Sequence, residues 1–338
     1  MLPGISIIFG FCFGAAFGSF LNVVIYRLPR GMSLSEPPSH CPSCGHRLGA
    51  VDLFPLFSFL AAGTKCRYCK APIGWRYFGV ELLTAIAWSV FWWQNLVVGS
   101  DPVRFVALAA FATTLIACIF IDLYHYIIPD SLNAILLFIG LAYNAWLLTQ
   151  GAGWTNVAGV FIPSAVVGAM AGIGVLWGIA FLGRVIFHKD AMGHGDIKLA
   201  RGIGAVLFAG PALMSFGVAI MVGAVLGVVQ ILARGKGEEE QEEEDGEAGD
   251  ESESIGSLVK AGIGYVLLVD VVALFVPIVE RKWFGEAAGE VEEEDDWKPG
   301  FTTIPFGPYL ALGALLVAMF GPTFFAWLNA YWNWATKR

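Results

Sequence analysis

The chain has 338 residues, 57% of them hydrophobic and 14% charged. Apolar runs of about 17–25 residues recur along it, the length that crosses a bilayer, so a soluble single-core domain is excluded and a polytopic membrane protein is expected. The formal charge of −8 hides a division: residues 235–300 hold 20 of the 28 Asp+Glu against 5 Lys+Arg, a net of −15, and the remainder holds 8 acids and 15 bases, a net of +7.

In chain order, the spacing predicts spans near 5–26, 77–98, 103–121, 131–149, 157–183, 199–209, 211–233 and 304–332. The first has no basic residue before it and no Ala-x-Ala-like site within it, so it reads as a retained span. The sixth is too short to cross unaided, and Gly210-Pro211 marks a turn after it, so it forms a hairpin with the seventh whose tip is buried among other helices. Gly168, Gly172, Gly174 and Gly178 are expected to let helices approach closely. The fold class is therefore all-α and polytopic, with about eight transmembrane helices, a cytoplasmic four-cysteine loop and an acidic insert. The expected division is a first transmembrane helix (1–26), the cysteine loop (27–76), a transmembrane core (77–234), the insert (235–300) and the last span with its tail (301–338).

Short-loop Lys and Arg set the orientation. Loops on one side hold Arg27, Arg30, Arg47, Lys65, Arg67, Lys70, Arg76, Arg184, Lys189, Lys198, Arg201, Arg234 and Lys236; the other side holds Arg104 and the tail pair Lys337 and Arg338. The basic side is assigned to the cytoplasm and both termini to the outside. Span three then runs inward to Asp122, spans four and five go out and back, and Asp196 opens span six, so both carboxylates fall at the cytoplasmic face.

The loop 27–76 carries Cys41-Pro42-Ser43-Cys44 and Cys66-Arg67-Tyr68-Cys69. Two such knuckles complete a tetrahedral zinc site, closed by four thiolates and hence structural. Disulfides are the other reading of four cysteines and are rare in a reducing cytoplasm. His40 and His46 flank the first knuckle as substitute ligands, and Cys12 and Cys118 read as apolar packing within spans.

Asp122 and Asp196 are the candidate catalytic residues. From position alone, Asp122 is equally a solvated helix end and Asp196 an N-cap. Two carboxylates held close cannot both ionise easily, so one keeps a proton while the other acts as base, which divides the two proton transfers of peptide hydrolysis. Gly193 and Gly195 allow a substrate backbone near Asp196. Lys198 either pairs with a carboxylate or reaches the lipid headgroups, and Asp130, after Pro129, reads as an N-cap. His125 and His194 lie near the two aspartates and leave a metal or histidine site as the lesser alternative, since no third carboxylate is nearby.

At these residues the chain resembles the type IV prepilin peptidases, leader peptidase/N-methyltransferases of the Gly-x-Gly-Asp class of membrane aspartic proteases. The resemblance rests on Gly18 through Pro29, the paired Cys-x2-Cys loop, Ile121-Asp122 through Pro129-Asp130, Met192 through Leu199, and Ile304 through Leu310. It implies cleavage of the basic leader from prepilins or pseudopilins at the cytoplasmic face of a bacterial inner membrane, with Asp122 and Asp196 as the catalytic pair. It also implies methylation of the new N-terminus from S-adenosylmethionine, an activity linked to residues 27–76. The implied partners are those substrates and the lipid bilayer, with no nucleic acid. A proton-coupled transporter using the same aspartates is the alternative, although the chain lacks the duplicated halves common in transporters.

The insert departs from that pattern. Residues 238–253 contain 11 acids and 286–296 contain 7, blocks that repel themselves and favour disorder. Between them lies the apolar helix 258–279, with Asp270 inside it and a kink expected at Pro277. Chain parity favours its lying on the membrane or docking against the bundle, with Asp270 a third intramembrane acid.

Overall fold

The computed structural model describes residues 3–187, 192–233, 254–276, 279, 283 and 305–335. The acidic runs 238–253 and 286–296, Lys189, Pro277 and Ile304 lie outside them. The described chain is mostly helical, and five helices are long and apolar enough to cross a membrane: Gly4–Arg30, Pro102–His125, Asp130–Thr149, Ser164–Ile186 and Ala209–Leu226. It divides into two compact units, one of Met1–Pro129 with Ala318–Arg338 and the other of Asp130–Val317.

The first unit contains α1 (Pro3–Arg27), the short α2 (Phe57–Ala61), α3 (Trp75–Trp92) and α4 (Pro102–His125). Helix α1 lies directly on α3 through Gly10, Gly14 and Gly18, which recur every four residues and so share one face. A Cβ at Gly18 would meet Glu81 Cα at 2.7 Å, and one at Gly14 would meet Ala85 Cα at 2.8 Å. After α3 the chain continues through a π-helical turn, Trp93–Val98. Asn95 Nδ2 donates to Phe91 O at 2.8 Å there, and Gln94 Nε2 donates to Met319 O at 2.6 Å. Helix α4 starts as its sequence dictates: Asp101 caps it, accepting from the Arg104 N–H at 2.9 Å, and Pro102 takes the first position.

The second unit contains α5 (Asp130–Thr149), a hairpin of β1 (Trp154–Val157) and β2 (Val160–Pro163), α6 (Ser164–Phe187), α7 (His194–Leu207), α8 (Ala209–Ala233), α9 (Ile255–Val266) and α10 (Val269–Ala273). The last helix, α11 (Gly307–Ala335), begins here and ends in the first unit. Antiparallel pairing runs from Trp154↔Pro163 to Val157↔Val160. The turn residues Ala158 and Gly159 both have positive φ, which matches the twist of a two-residue hairpin.

Helix α7 is the centre of this unit. Its 14 residues give about 21 Å of helix, short of the roughly 30 Å hydrocarbon core. It is therefore enclosed by α5, α6 and α8, and ten of its residues are buried. The approach is backbone to backbone: a Cβ at Gly168 would clash with Gly204 O, one at Gly172 with Ala200 O, and one at Gly140 would lie 2.5 Å from the Ala205 carbonyl carbon.

Several expectations change here. The span expected from 157 begins at Ser164, because the hairpin occupies the preceding residues. Gly174 and Gly178 face open space, so only Gly168 and Gly172 of the four serve close packing. The apolar insert segment is two helices broken at Leu268, whose φ is 58°, and α9 docks on α6.

Substituting Gly168 with Ala should destabilise the protein by about 1–3 kcal/mol, the usual cost of overpacking a tight site. Gly174→Ala, with nothing within 4 Å of its Cβ, should stay within about 0.5 kcal/mol of the parent. Thermal unfolding of the two variants in detergent checks the contrast.

Candidate functional site

The cysteine loop folds as two copies of one knuckle, offset by 25 residues. In the first, Cys41 N–H donates to His46 O at 2.9 Å, Gly45 N–H to Cys41 O at 2.8 Å and Leu48 N–H to Ser39 O at 2.8 Å. The second repeats these bonds as Cys66 to Ala71 at 2.8 Å, Lys70 to Cys66 at 3.0 Å and Ile73 to Thr64 at 2.8 Å. Gly45 and Lys70 occupy the same left-handed position, with φ of 67° and 63°.

The four sulfurs of Cys41, Cys44, Cys66 and Cys69 all lie within 4.8 Å of one another, with Cys41 and Cys69 at 3.9 Å. A tetrahedral metal with four sulfurs at about 2.3 Å has sulfur–sulfur edges of about 3.8 Å, so the donor set suits a metal without rearrangement of the knuckles. No disulfide joins any of the six cysteines in this structure. Backbone N–H groups of Cys69 and Tyr68 lower the Cys66 thiol to about 7, the direction that favours a thiolate ligand. His40 and His46 stand outside the cluster: His40 Nδ1 bonds Pro38 O at 2.9 Å, and the His46 ring lies tilted against Tyr68 with ring centres 3.6 Å apart. The Tyr68 hydroxyl donates to Asp52 at 3.0 Å, and the Gly49 N–H donates to the same carboxylate, which is held below its ordinary value.

Between this loop, α1 and α3 lies a cavity of about 380 Å³ whose lining includes Ser19, Asn22, Arg27, Tyr68, Tyr77 and Glu81. Asn22 is buried, donates to Tyr77 O at 3.1 Å, and leaves its Oδ1 with no partner among the described residues. Glu81 is buried too and accepts from the Leu56 N–H at 2.7 Å.

The two candidate aspartates fall one in each unit. Asp122 stands in the last turn of α4, 5% exposed, where Tyr126 closes the helix with a φ of 55° and donates its N–H to Asp122 O at 2.9 Å. Asp196 stands in the first turn of α7. Gly193 is the N-cap there, so Asp196 sits three residues inside the helix, where the positive end of the helix dipole favours an acid.

Around Asp196 the remaining charges of α7 are engaged. Lys198 Nζ bonds both oxygens of Asp130, at 2.8 and 2.7 Å, which selects the carboxylate pairing of Lys198 over the lipid one and gives Asp130, at the start of α5, a partner beyond its own helix. Arg201, expected in a cytoplasmic loop, is instead 1% exposed within α7. Its guanidinium grips Asp270 at 2.8 and 2.6 Å and donates to Tyr265 O at 3.0 Å. Asp270, expected as a third intramembrane acid, is an ion-pair partner. Tyr265 itself places its hydroxyl 2.7 Å from His194 Nδ1.

A family model described as the bacterial peptidase A24 N-terminal domain matches residues 12–95, and one described as the type IV leader peptidase family matches 109–228. A Myxococcus xanthus protein named prepilin leader peptidase/N-methyltransferase is 34% identical over 97% of this chain and 94% of its own length. The chain belongs to the type IV leader peptidase family. Proteins of the same name from Aeromonas hydrophila and Pseudomonas aeruginosa are 36% and 34% identical, over 69% and 65% of this chain and 84% and 79% of their own lengths. No solved structure matches the chain significantly. The family matches cover the cysteine loop and both aspartates, whereas Tyr265 and Asp270 lie beyond them. Sequence reading missed the Arg201–Asp270 pair; an arginine and an aspartate inside apolar stretches were the only signal, and their pairing spans 69 residues.

Asp270→Ala would strand the Arg201 charge, and the expected loss is about 3–5 kcal/mol of stability. Arg201→Met with Asp270→Leu should recover most of it. Thermal unfolding of the single and double variants, compared in one detergent, checks this.

Proposed function

We propose that this chain is a membrane aspartic endopeptidase that removes the basic leader of prepilins or pseudopilins, with Asp122 and Asp196 as the catalytic pair. The observation that carries the reading is the placement of Asp122 in the last turn of α4 and Asp196 in the first turn of α7, within a chain of this family. Two spans, α5 and α6, separate them in sequence, so chain parity returns Asp196 to the face where α4 ended.

The chemistry follows from two carboxyls that share a proton. The ionised one takes a proton from water as the water oxygen attacks the scissile carbonyl carbon, and the protonated one donates to the carbonyl oxygen. The tetrahedral intermediate then collapses: one of its hydroxyls returns a proton to the second carboxyl, the C–N bond breaks, and the new amine leaves with the proton taken from water, which restores both carboxyls. A substrate whose leader is basic keeps that leader on the cytoplasmic side by the rule that orients the enzyme. This puts the reaction at the cytoplasmic face of a bacterial inner membrane, in a chain with about eight apolar membrane helices: the five long ones with α3, α11 and the shorter α7 enclosed by its neighbours.

In the same reading the cysteine cluster holds one structural zinc that fixes the loop 27–76. The adjoining cavity would take S-adenosylmethionine, which supplies the methyl group for the new N-terminus. Asn22 Oδ1 and the Glu81 carboxylate are the acceptors that would meet its amino group, and the volume falls in the range of small-molecule sites.

Asp122→Asn and Asp196→Asn are each expected to abolish leader removal from a tagged prepilin co-expressed in membranes, read as the substrate's mass; retained cleavage in both variants would sink the dyad. Metal analysis of the purified protein is expected to find one zinc per chain, lost in Cys41→Ser with Cys66→Ser. Zinc loss should cost methyl transfer before it costs cleavage, because the loop and both aspartates lie on different stretches of the chain.

A further inference from the structure

We propose that Tyr265, on the insert helix α9, is a positioning residue for the reaction at Asp196. The proposal rests on the assignment of Asp196 as catalytic. Tyr265 is 2% exposed, so it does not meet substrate. It touches α7 three times: its hydroxyl lies 2.7 Å from His194 Nδ1, its ring centre 5.5 Å from Lys198 Nζ, and its backbone carbonyl 3.0 Å from Arg201 Nη1. Asp270 then adds its two bonds to the same guanidinium.

Residues 194, 198 and 201 stand four and three apart, which places them along one stripe of the helix. Asp196 is two residues from both His194 and Lys198, and at 3.6 residues per turn it projects from the other side of α7. Gripping that stripe therefore fixes the rotation of the helix about its axis, and with it the direction in which the Asp196 carboxylate points. The grip has its own anchor: Trp177 Nε1 of α6 donates to Leu258 O at 3.1 Å, and a Cβ at Gly262 would clash with that indole. The described part of the insert is thus a brace on the helix that carries the aspartate. A reacting group displaced by 1 Å can lose about a hundredfold in rate, so a loosened rotation registers in catalysis well before the fold is lost.

The test uses the full-length enzyme in detergent with a prepilin peptide, measuring kcat and KM separately for Tyr265→Phe, His194→Ala, the double variant and Asp196→Asn. Tyr265→Phe keeps the ring and the carbonyl that Arg201 uses, so the melting temperature should hold. The expected result is a roughly tenfold fall in kcat with KM unchanged, and a double variant no worse than the lower single. An unchanged kcat, a risen KM, or losses that multiply in the double variant would each overturn the proposal. If Tyr265→Phe does not fold, His194→Ala breaks the same contact from the α7 side and carries the same expectation. Asp196→Asn separates the two ideas: a dead Asp196→Asn beside a fully active Tyr265→Phe rejects the brace alone, whereas an active Asp196→Asn rejects the catalytic assignment beneath it.

Discussion

A helix of 14 residues with a carboxylate in its first turn cannot cross a hydrocarbon layer on its own, and its backbone ends have no water to bond in that layer. Much of the second unit answers that constraint. Helix α7 is wrapped by longer helices, and the wrapping is close because Gly168, Gly172 and Gly140 remove the side chains that would hold neighbouring backbones apart. The first unit uses the same device in another place, where Gly10, Gly14 and Gly18 let α1 lie on α3 and bring the buried Asn22 and Glu81 to one cavity beside the cysteine loop.

Charge is scarce within the apolar part, and most of it is spent on holding helices in register. Asp101 caps α4, Lys198 ties α7 to α5 through Asp130, and Arg201 ties α7 to the insert through Asp270. Charges of these kinds are costly in an apolar medium unless they are paired. Asp122 and Asp196 stand at helix ends, one in the last turn of α4 and the other in the first turn of α7.

What could be read in advance divides by range. The cysteine site was legible because two thiolates on a tight turn are a local pattern, and the 25-residue offset between knuckles survives in the backbone bonds as well as in the cysteines. Five of the eight expected spans return as long apolar helices, one of them starting later than expected, and Asp122 and Asp196 stand at the helix ends that hydropathy suggested. The hairpin at Trp154–Pro163 was not legible, because its apolar residues continue into α6 without a break in composition. Nor were the pairings of Lys198 with Asp130 and Arg201 with Asp270, which join residues 68 and 69 apart. Single-residue patterns carry no information on which distant partner will answer a buried charge, and so Arg201 passed for a loop cation.

The Arg201–Asp270 pair also sets an order of assembly. Synthesis runs from the N-terminus, so α7 emerges with its arginine well before Asp270 exists. An unpaired arginine at the middle of a bilayer costs about 2.5–3.5 kcal/mol on insertion scales. Until residues 255–273 arrive, α7 therefore has reason to stay near the membrane surface, where water and headgroups solvate the guanidinium. Its burial waits on a segment made later, which makes the enclosed state of α7 a late product of biogenesis.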